Sequence, residues 1–335
     1  MLPAILGLAG ETLDARERAF FREADPAGYI LFARNCRTRA QLRALTDGLR
    51  DLAGRDDLPI LIDQEGGRVA RLNPPEWPEF PAAWRFSELY ERAPISAIEA
   101  ARLNAGAIAI TLTECGVNVD CLPLLDLRHD DAHDVIGDRA LGATPMQVAA
   151  LGRAVLDGLA AGGCLGVVKH MPGHGRAGAD SHAELPVVDA DAAELEADIA
   201  PFRALADAPM GMSAHVLYPA WDGERCASLS RVVIGEVIRK RIGFDGFLMS
   251  DDIGMSALSG TLAARAAGVI AAGCDVALHC SGRLEDNEEI AGALGAMSEA
   301  AAARLAWAMA GIAGASSNRA YVELAAKRDA LLSLA

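Results

Sequence analysis

The chain reads as an α/β protein of the (β/α)8 TIM-barrel class, and three observations lead there. Eight short apolar runs are spaced along roughly 280 residues, a length typical of that fold. Most of these runs are continuously apolar rather than alternating, as expected of parallel strands covered on both faces. Stretches with apolar residues every three or four positions lie between many of them. A doubly wound open sheet shares the alternation, but the count of eight units favours the barrel.

The predicted strands, in order, are "AILGLAG" (4–10), "GYILFAR" (28–34), "LPILIDQEGG" (58–67) and "GVNVDCLPLLDL" (116–127). "GCLGVVKH" (163–170), "MGMSAHVLYP" (210–219), "GFLMSDD" (246–252) and "GCDVALHC" (273–280) complete the set. Helices are predicted over 37–54, 95–116, 144–163, 191–208, 229–243 and 259–273. The first of these shows the logic: Leu42, Leu45, Leu49 and Leu52 recur on one face, and Gly54 stands where a helix stops. The Pro-rich piece "NPPEWPEFPAAW" (73–84) reads as a long rigid loop, and the tail beyond 285 has room for two helices. Residues 1–335 are therefore expected to form a single barrel domain with C-terminal helices.

Composition narrows the function. Hydrophobic residues make up 52% of the 335, so a large core is available, and aromatics only 5%, so that core is aliphatic. A formal charge of −15 repels phosphate backbones and argues against nucleic acid as a partner. Seven scattered cysteines (36, 115, 121, 164, 226, 274 and 280) contain no CxxC pair, which fits reduced thiols rather than a disulfide framework or structural zinc. The start "MLPAILGLAGE" lacks the basic region of a signal peptide, and no uninterrupted apolar run nears the ~18 residues of a membrane span. The expected setting is the cytoplasm, away from membranes, for a monomer or weak homodimer.

Catalytic groups of a (β/α)8 barrel sit at the C-terminal strand ends. There this sequence carries Asp63, Lys169, His170, His215, Asp251 and Asp252, while the opposite ends are plain. The stretch "KHMPGHGRAGADSH" (169–182) is the most concentrated. Three readings of it compete. His170, His174, His182 and Asp180 could ligate a metal, although no recognised ligand spacing is present. The histidines could simply bond loop backbone. Or Asp180 and His182 form a dyad on a glycine-rich loop, the carboxylate holding one imidazole nitrogen and leaving the other for general acid–base work.

"KHMPGHGRAGADSHAELP", together with "LIDQEGGRVARL", "VIGDRALG", "FLMSDDIGM", "GYILFARNC" and "SAHVLYPAWD", closely resembles the β-N-acetylhexosaminidases of glycoside hydrolase family 3, in particular the bacterial single-domain type of cell-wall recycling. The motifs keep the family's order from about residue 4 to about residue 285. The resemblance implies a barrel without metal or organic cofactor, acting on a sugar substrate. It implies Asp251 as nucleophile, His182 as general acid/base oriented by Asp180, and Asp63, Arg71, Arg139, Lys169 and His170 as sugar ligands. It further implies an exo-acting, retaining β-N-acetylglucosaminidase that trims N-acetylglucosamine from muropeptides carrying 1,6-anhydro-N-acetylmuramic acid. Two departures stand out: "RAGADSH" lacks a threonine found in many relatives, and "KHM" replaces the commoner "KHF".

The chemistry of the residues agrees. Retaining glycoside hydrolysis needs a carboxylate at the anomeric carbon and a proton donor at the leaving oxygen. Asp251 at a strand end supplies the first, held ionised by a cation such as Lys169 or Arg71, while Asp252 should point elsewhere by strand alternation. An imidazole, with its ordinary pKa of ~6.5, is a workable donor. His174 and His215 are expected to position loops, Asp120 and Asp126 to brace the rim, and Arg176 and Gly178 have no assigned task. A β-glucosidase or xylosidase of the same family would lack the Asp-x-His pair, and a non-catalytic sugar-binding barrel would need neither Asp251 nor His182.

Overall fold

The computed structural model describes residues 1–129, 132–312 and 320–334. Eight parallel strands close into a barrel with neighbours in chain order. They are β1 Leu2–Gly7, β2 Pro26–Leu31, β3 Ile60–Ile62 and β4 Val119–Asp120, then β5 Leu165–Met171, β6 Met210–Ser213, β7 Phe247–Asp252 and β8 Val276–His279. Closure is made by β1 against β8, with Ala4 beside Ala277 and Leu6 beside His279. The predicted fold is thus the observed one.

Around the barrel run α1 Ala15–Ala24, α2 Arg39–Ala53, α3 Trp84–Arg92, α4 Pro94–Glu114, α5 Pro145–Ala161, α6 Leu195–Ala204, α7 Leu262–Ala272 and α8 Leu284–Ala293. A π-type helix, Val233–Ile242, fills the place between β6 and β7. Local signals start and stop these elements. Asp14 and Glu17 cap α1 reciprocally. Thr38 caps α2, which ends on Gly54 at φ 64, a left-handed conformation glycine adopts at little cost. Two helices, α1 and α3, were not anticipated from periodicity; both are short and lie beside turn-rich sequence. Among the described residues the tail holds three helices rather than two, because α8 is followed by α9 Glu299–Ala310 and α10 Tyr321–Leu332.

α4 stands where a helix was predicted over 95–116. Among the described residues it is the helix long and apolar enough to cross a membrane, but 67% of that stretch is buried inside the protein. Ala, Leu and Ile on nearly every face let it pack against α3, α5 and α10 at once.

Strand alternation sorts the barrel interior. Ile5, Ile30, Leu61, Val119, Val167, Phe247 and Val276 fill it, each at most 1% exposed. Burying such a side chain stabilises by about 1.5–3 kcal/mol. Leu305, Ala308 and Met309 of α9 join the same cluster. Arg304 bonds Asp245 just before β7 and Asp275 just before β8, which fixes α9 across the N-terminal mouth. The apolar filling stops short of the C-terminal mouth, where the inward positions become Asp63, Lys169 and Asp251.

Candidate active site

Inward alternation places the first group. In β7, Phe247 and Met249 fill the interior, so Asp251 faces the C-terminal mouth, only 7% exposed. The backbone amide of Asp252 donates to its Oδ1 at 2.8 Å. Asp252 bonds toward β8, as alternation predicts, yet it still lines the same cavity as Asp251. It accepts from the amides of Gly254 (2.9 Å) and Cys280 (3.1 Å) and lies 3.4 Å from His279 Nδ1. Burial works against its charge, but the His279 and amide bonds outweigh it and hold Asp252 below the usual carboxylate range.

The expected cation beside Asp251 is engaged elsewhere: among the described residues Asp251 has no ion pair, because Lys169 and Arg71 turn to the end of β3. Lys169 Nζ lies 3.0 Å from Asp63 Oδ1 and 2.7 Å from Glu65 Oε1. Arg71 donates to Asp63 Oδ2 at 3.0 Å, and Arg139 grips Glu65 through two bonds of 2.8 Å. Desolvation is the largest single effect and pushes the Asp63 and Glu65 carboxyls up, but Lys169 together with Arg71 and Arg139 respectively outweighs it, and both stay below their ordinary range. Conversely, the two carboxylates overcome burial and keep Lys169 above its usual value. Five charges, two carboxylates and three cations, with paired geometry make a rigid hydrogen-bonding floor.

Glu65 was not among the predicted site residues. Its signal was available: it stands two residues after Asp63, on the same side of an extended chain. It sits before Gly66 and Gly67, at φ 94 and φ 56. A Cβ on Gly66 would run into the carbonyl of Pro81, so only glycine lets the chain turn here. That turn brings Arg71 back over Asp63.

His170 is fixed from behind. Asp126 accepts from its Nδ1 at 2.7 Å and from the His174 amide at 2.7 Å. Burial opposes ionisation, yet His170 and His174 bring Asp126 down to about 2. The expected bracing role of Asp126 is therefore seen in its bonds. His174 faces His170 edge-on with ring centroids 5.7 Å apart, and burial lowers its pKa. His215 bridges Ser228 Oγ (2.6 Å) and the Asp252 carbonyl (3.0 Å) and is likewise lowered by burial. Arg176 gains a partner, Asp198, at 2.5 Å.

The loop after β5 carries the dyad. Asp180 Oδ1 accepts from the amide of His182 at 2.9 Å and from its Nδ1 at 2.8 Å. Partial burial would raise Asp180, but those two bonds hold it below its usual range. The His182 side chain is 67% exposed, far more than the ion-paired groups at the cavity floor. The loop packs closely at Gly175, where a Cβ would collide with the Leu127 carbonyl, and beside His182 the Ala257 amide donates to the Ser181 carbonyl at 3.1 Å.

One cavity of about 190 Å3 unites these groups. Asp63, Arg71, Arg139, Lys169, His170, His182 and Asp251 all line it, and Glu65 with them. Asp180 stands behind His182. Phe32, Val135, Ile136, Met212, Met255 and Leu278 supply apolar walls. The volume is below the ~300–1,000 Å3 of pockets for drug-sized ligands and suits one saccharide ring. Among the described residues no group of three or more His, Cys, Asp and Glu is arranged to hold a metal ion, so His170, His174, His182 and Asp180 do not form a ligand set. All seven cysteines are free.

A parallel barrel whose C-terminal mouth joins a buried carboxylate, an Asp-held imidazole and a hydrogen-bonding floor defines a barrel hydrolase for a small polar substrate. Known proteins agree. The family description "Glycosyl hydrolase family 3 N terminal domain" matches residues 8–309. The Beta-hexosaminidase of Bordetella avium (strain 197N) is 39% identical over 284 residues, covering 83% of this chain and 80% of its own. That of Alkalilimnicola ehrlichii is 40% identical over 284 residues, with the same coverage of 83% and 80%. NagZ from Neisseria gonorrhoeae, solved in complex with N-trifluoroacetyl-D-glucosamine, superposes with TM-score 0.87 at 30% identity, covering 99% of this chain and 97% of that one. The chain belongs to glycosyl hydrolase family 3, as a glycoside hydrolase of its β-N-acetylhexosaminidase group.

Proposed function

We propose that this enzyme is an exo-acting, retaining β-N-acetylglucosaminidase that removes terminal N-acetylglucosamine from 1,6-anhydro-muropeptides during peptidoglycan recycling in the cytoplasm. The observation that carries the reading is the shared cavity: the Asp251 carboxylate and the His182 imidazole line one pocket of single-sugar size. The likeness to hexosaminidases and the glucosamine-type ligand of the Neisseria structure support the sugar class.

In this reading Asp63, Arg71, Lys169, Arg139 and His170 bind the hydroxyls and substituents of the terminal sugar. The Asp251 carboxylate attacks the anomeric carbon as the glycosidic bond breaks. The leaving oxygen takes a proton from the His182 ring nitrogen opposite the one held by Asp180. His182, now neutral, then takes a proton from water. That water attacks the anomeric carbon and releases Asp251, so that the configuration is retained. Placing the imidazole on a loop allows it to close over the bound substrate. The enzyme is read as a monomer or weak homodimer whose whole site lies in one barrel.

The test is covalent trapping. A 5-fluoro N-acetylglucosaminyl fluoride should label Asp251, located by peptide mass spectrometry. Label on Asp252, or none, overturns the nucleophile, and faster hydrolysis of a chromogenic glucoside than of the N-acetylglucosaminide overturns the sugar class.

A further inference from the structure

Asp120 ends β4 and belongs to no part of the chemistry above. Its neighbours Val119 and Cys121 fill the barrel interior, so alternation sends Asp120 to the outer side of the wall, where it is 0% exposed. Its Oδ1 accepts from the backbone amide of Gln64 at 2.9 Å. Its Oδ2, also buried, has no hydrogen-bond partner of either kind among the described residues. Gln64 lies between Asp63 and Glu65, and its side chain continues the connection. Gln64 Oε1 accepts from the amides of Arg71 and Leu72, both at 2.9 Å, and its Nε2 donates to the Leu72 carbonyl at 3.0 Å. A single buried carboxyl thus ties down the chain positions of Asp63, Glu65 and Arg71.

An ionised carboxylate in that place would be a fully desolvated charge with half of its acceptor capacity unused. The charged and titratable groups around it are Asp63 and Glu65 from the end of β3, Cys121 on β4, Cys164 ahead of β5 and Lys169 on β5. The cation that acts on it most, Lys169, is already shared by Asp63 and Glu65. A neutral carboxylic acid removes that uncompensated charge, although its O–H gains no acceptor, and it still accepts the Gln64 bond.

We propose that Asp120 is a positioning residue that anchors the sugar-binding end of β3 as a neutral acid, and that losing its proton loosens that anchor and weakens sugar binding. Burial pushes this carboxyl up to about 8, against the pull of the Gln64 amide and Lys169. The switch therefore falls on the alkaline side of neutrality. The inference rests on the reading of Asp63 and Arg71 as sugar ligands.

The experiment compares wild type, Asp120→Asn and Asp120→Ala on a chromogenic N-acetylglucosaminide across pH, and follows the carboxyl carbons of 13C-aspartate-labelled protein by NMR. For wild type, KM should climb about tenfold per pH unit once Asp120 ionises, with kcat changing less. Asn keeps the acceptor for Gln64 but cannot ionise, so its KM should match wild type at neutral pH and lose that climb. Ala loses the anchor and should raise KM at every pH. The signal missing in Asp120→Asn should titrate near the same alkaline point in wild type. An alkaline KM climb retained in Asp120→Asn, or an Asp120 carbon already ionised at neutral pH, overturns the proposal. The carbon titration reads Asp120 without turnover, whereas failure of wild type to saturate with the N-acetylglucosaminide would strike the sugar-binding reading instead.

Discussion

Lys169 on β5 and Glu65 just past the end of β3, both buried, meet at 2.7 Å, and Arg139 closes on the same carboxylate through two further bonds. The contact makes Glu65 the centre of the charged floor, although it supplies no obvious chemistry of its own. Removing one partner of a buried pair leaves its counterpart uncompensated, at about 3–5 kcal/mol. Glu65→Ala should therefore destabilise the fold by about that much in urea unfolding and raise KM. Unchanged stability would mean that Lys169 and Arg139 find new partners.

Asp251→Ala tests the opposite case. The carboxylate has no ion pair among the described residues, and one backbone amide contacts its side chain, so unfolding free energy should change by no more than about 1 kcal/mol. Turnover should fall by several orders of magnitude. Activity within tenfold of wild type would remove Asp251 from the nucleophile role.

His182→Ala should slow N-acetylglucosaminides with poor leaving groups by about 10²–10⁴-fold, the range of general acid catalysis. Aryl glycosides with acidic leaving groups need little protonation and should suffer far less. Asp180→Ala should show the same pattern more weakly, because the imidazole stays but loses its 2.8 Å partner. Equal slowing of both substrate classes would count against proton donation.

Acid stability follows from the buried groups. Asp126 is depressed to about 2, so its contribution is complete above the unfolded value of about 3.8 and is lost as pH falls toward about 2. His174 and His215 are lowered by burial, so the unfolded chain binds protons that the folded chain refuses, and stability begins to fall below about pH 6.5. Both effects have the same sign. Thermal midpoints should drop in two stages on acidification, the first around pH 6 and the second below pH 4. His215→Asn should flatten the first stage only; a melting profile unchanged in both stages would show that other groups govern acid unfolding.

Eight apolar runs and the helical periodicity between them were enough for the barrel, because burial on both faces of a parallel strand leaves a plain pattern in the chain. The same simple rule, inward and outward in turn, separated Asp251 from Asp252 in advance. Motif order likewise gathered Asp63, Arg71, Arg139, Lys169, His170, Asp180 and His182, and the fold brings all but Asp180 to the cavity wall, with Asp180 bonded behind. The short α1 and α3 escaped because turn-rich sequence borders them and obscures their periodicity. The apolarity of α4 was not decisive by itself, since a helix packed on three sides and one crossing a bilayer share composition.

What the sequence by itself determined is therefore the order and type of elements and the residue kinds at the strand ends, which depend on neighbours within a few positions. Only the tertiary structure decided who pairs with whom: that Lys169 belongs to Asp63 and Glu65 rather than Asp251, that Asp126 holds His170, and that Asp120 lies buried beneath Gln64. Those pairings join residues tens of positions apart. Their energies depend on distance and desolvation, which no local pattern encodes.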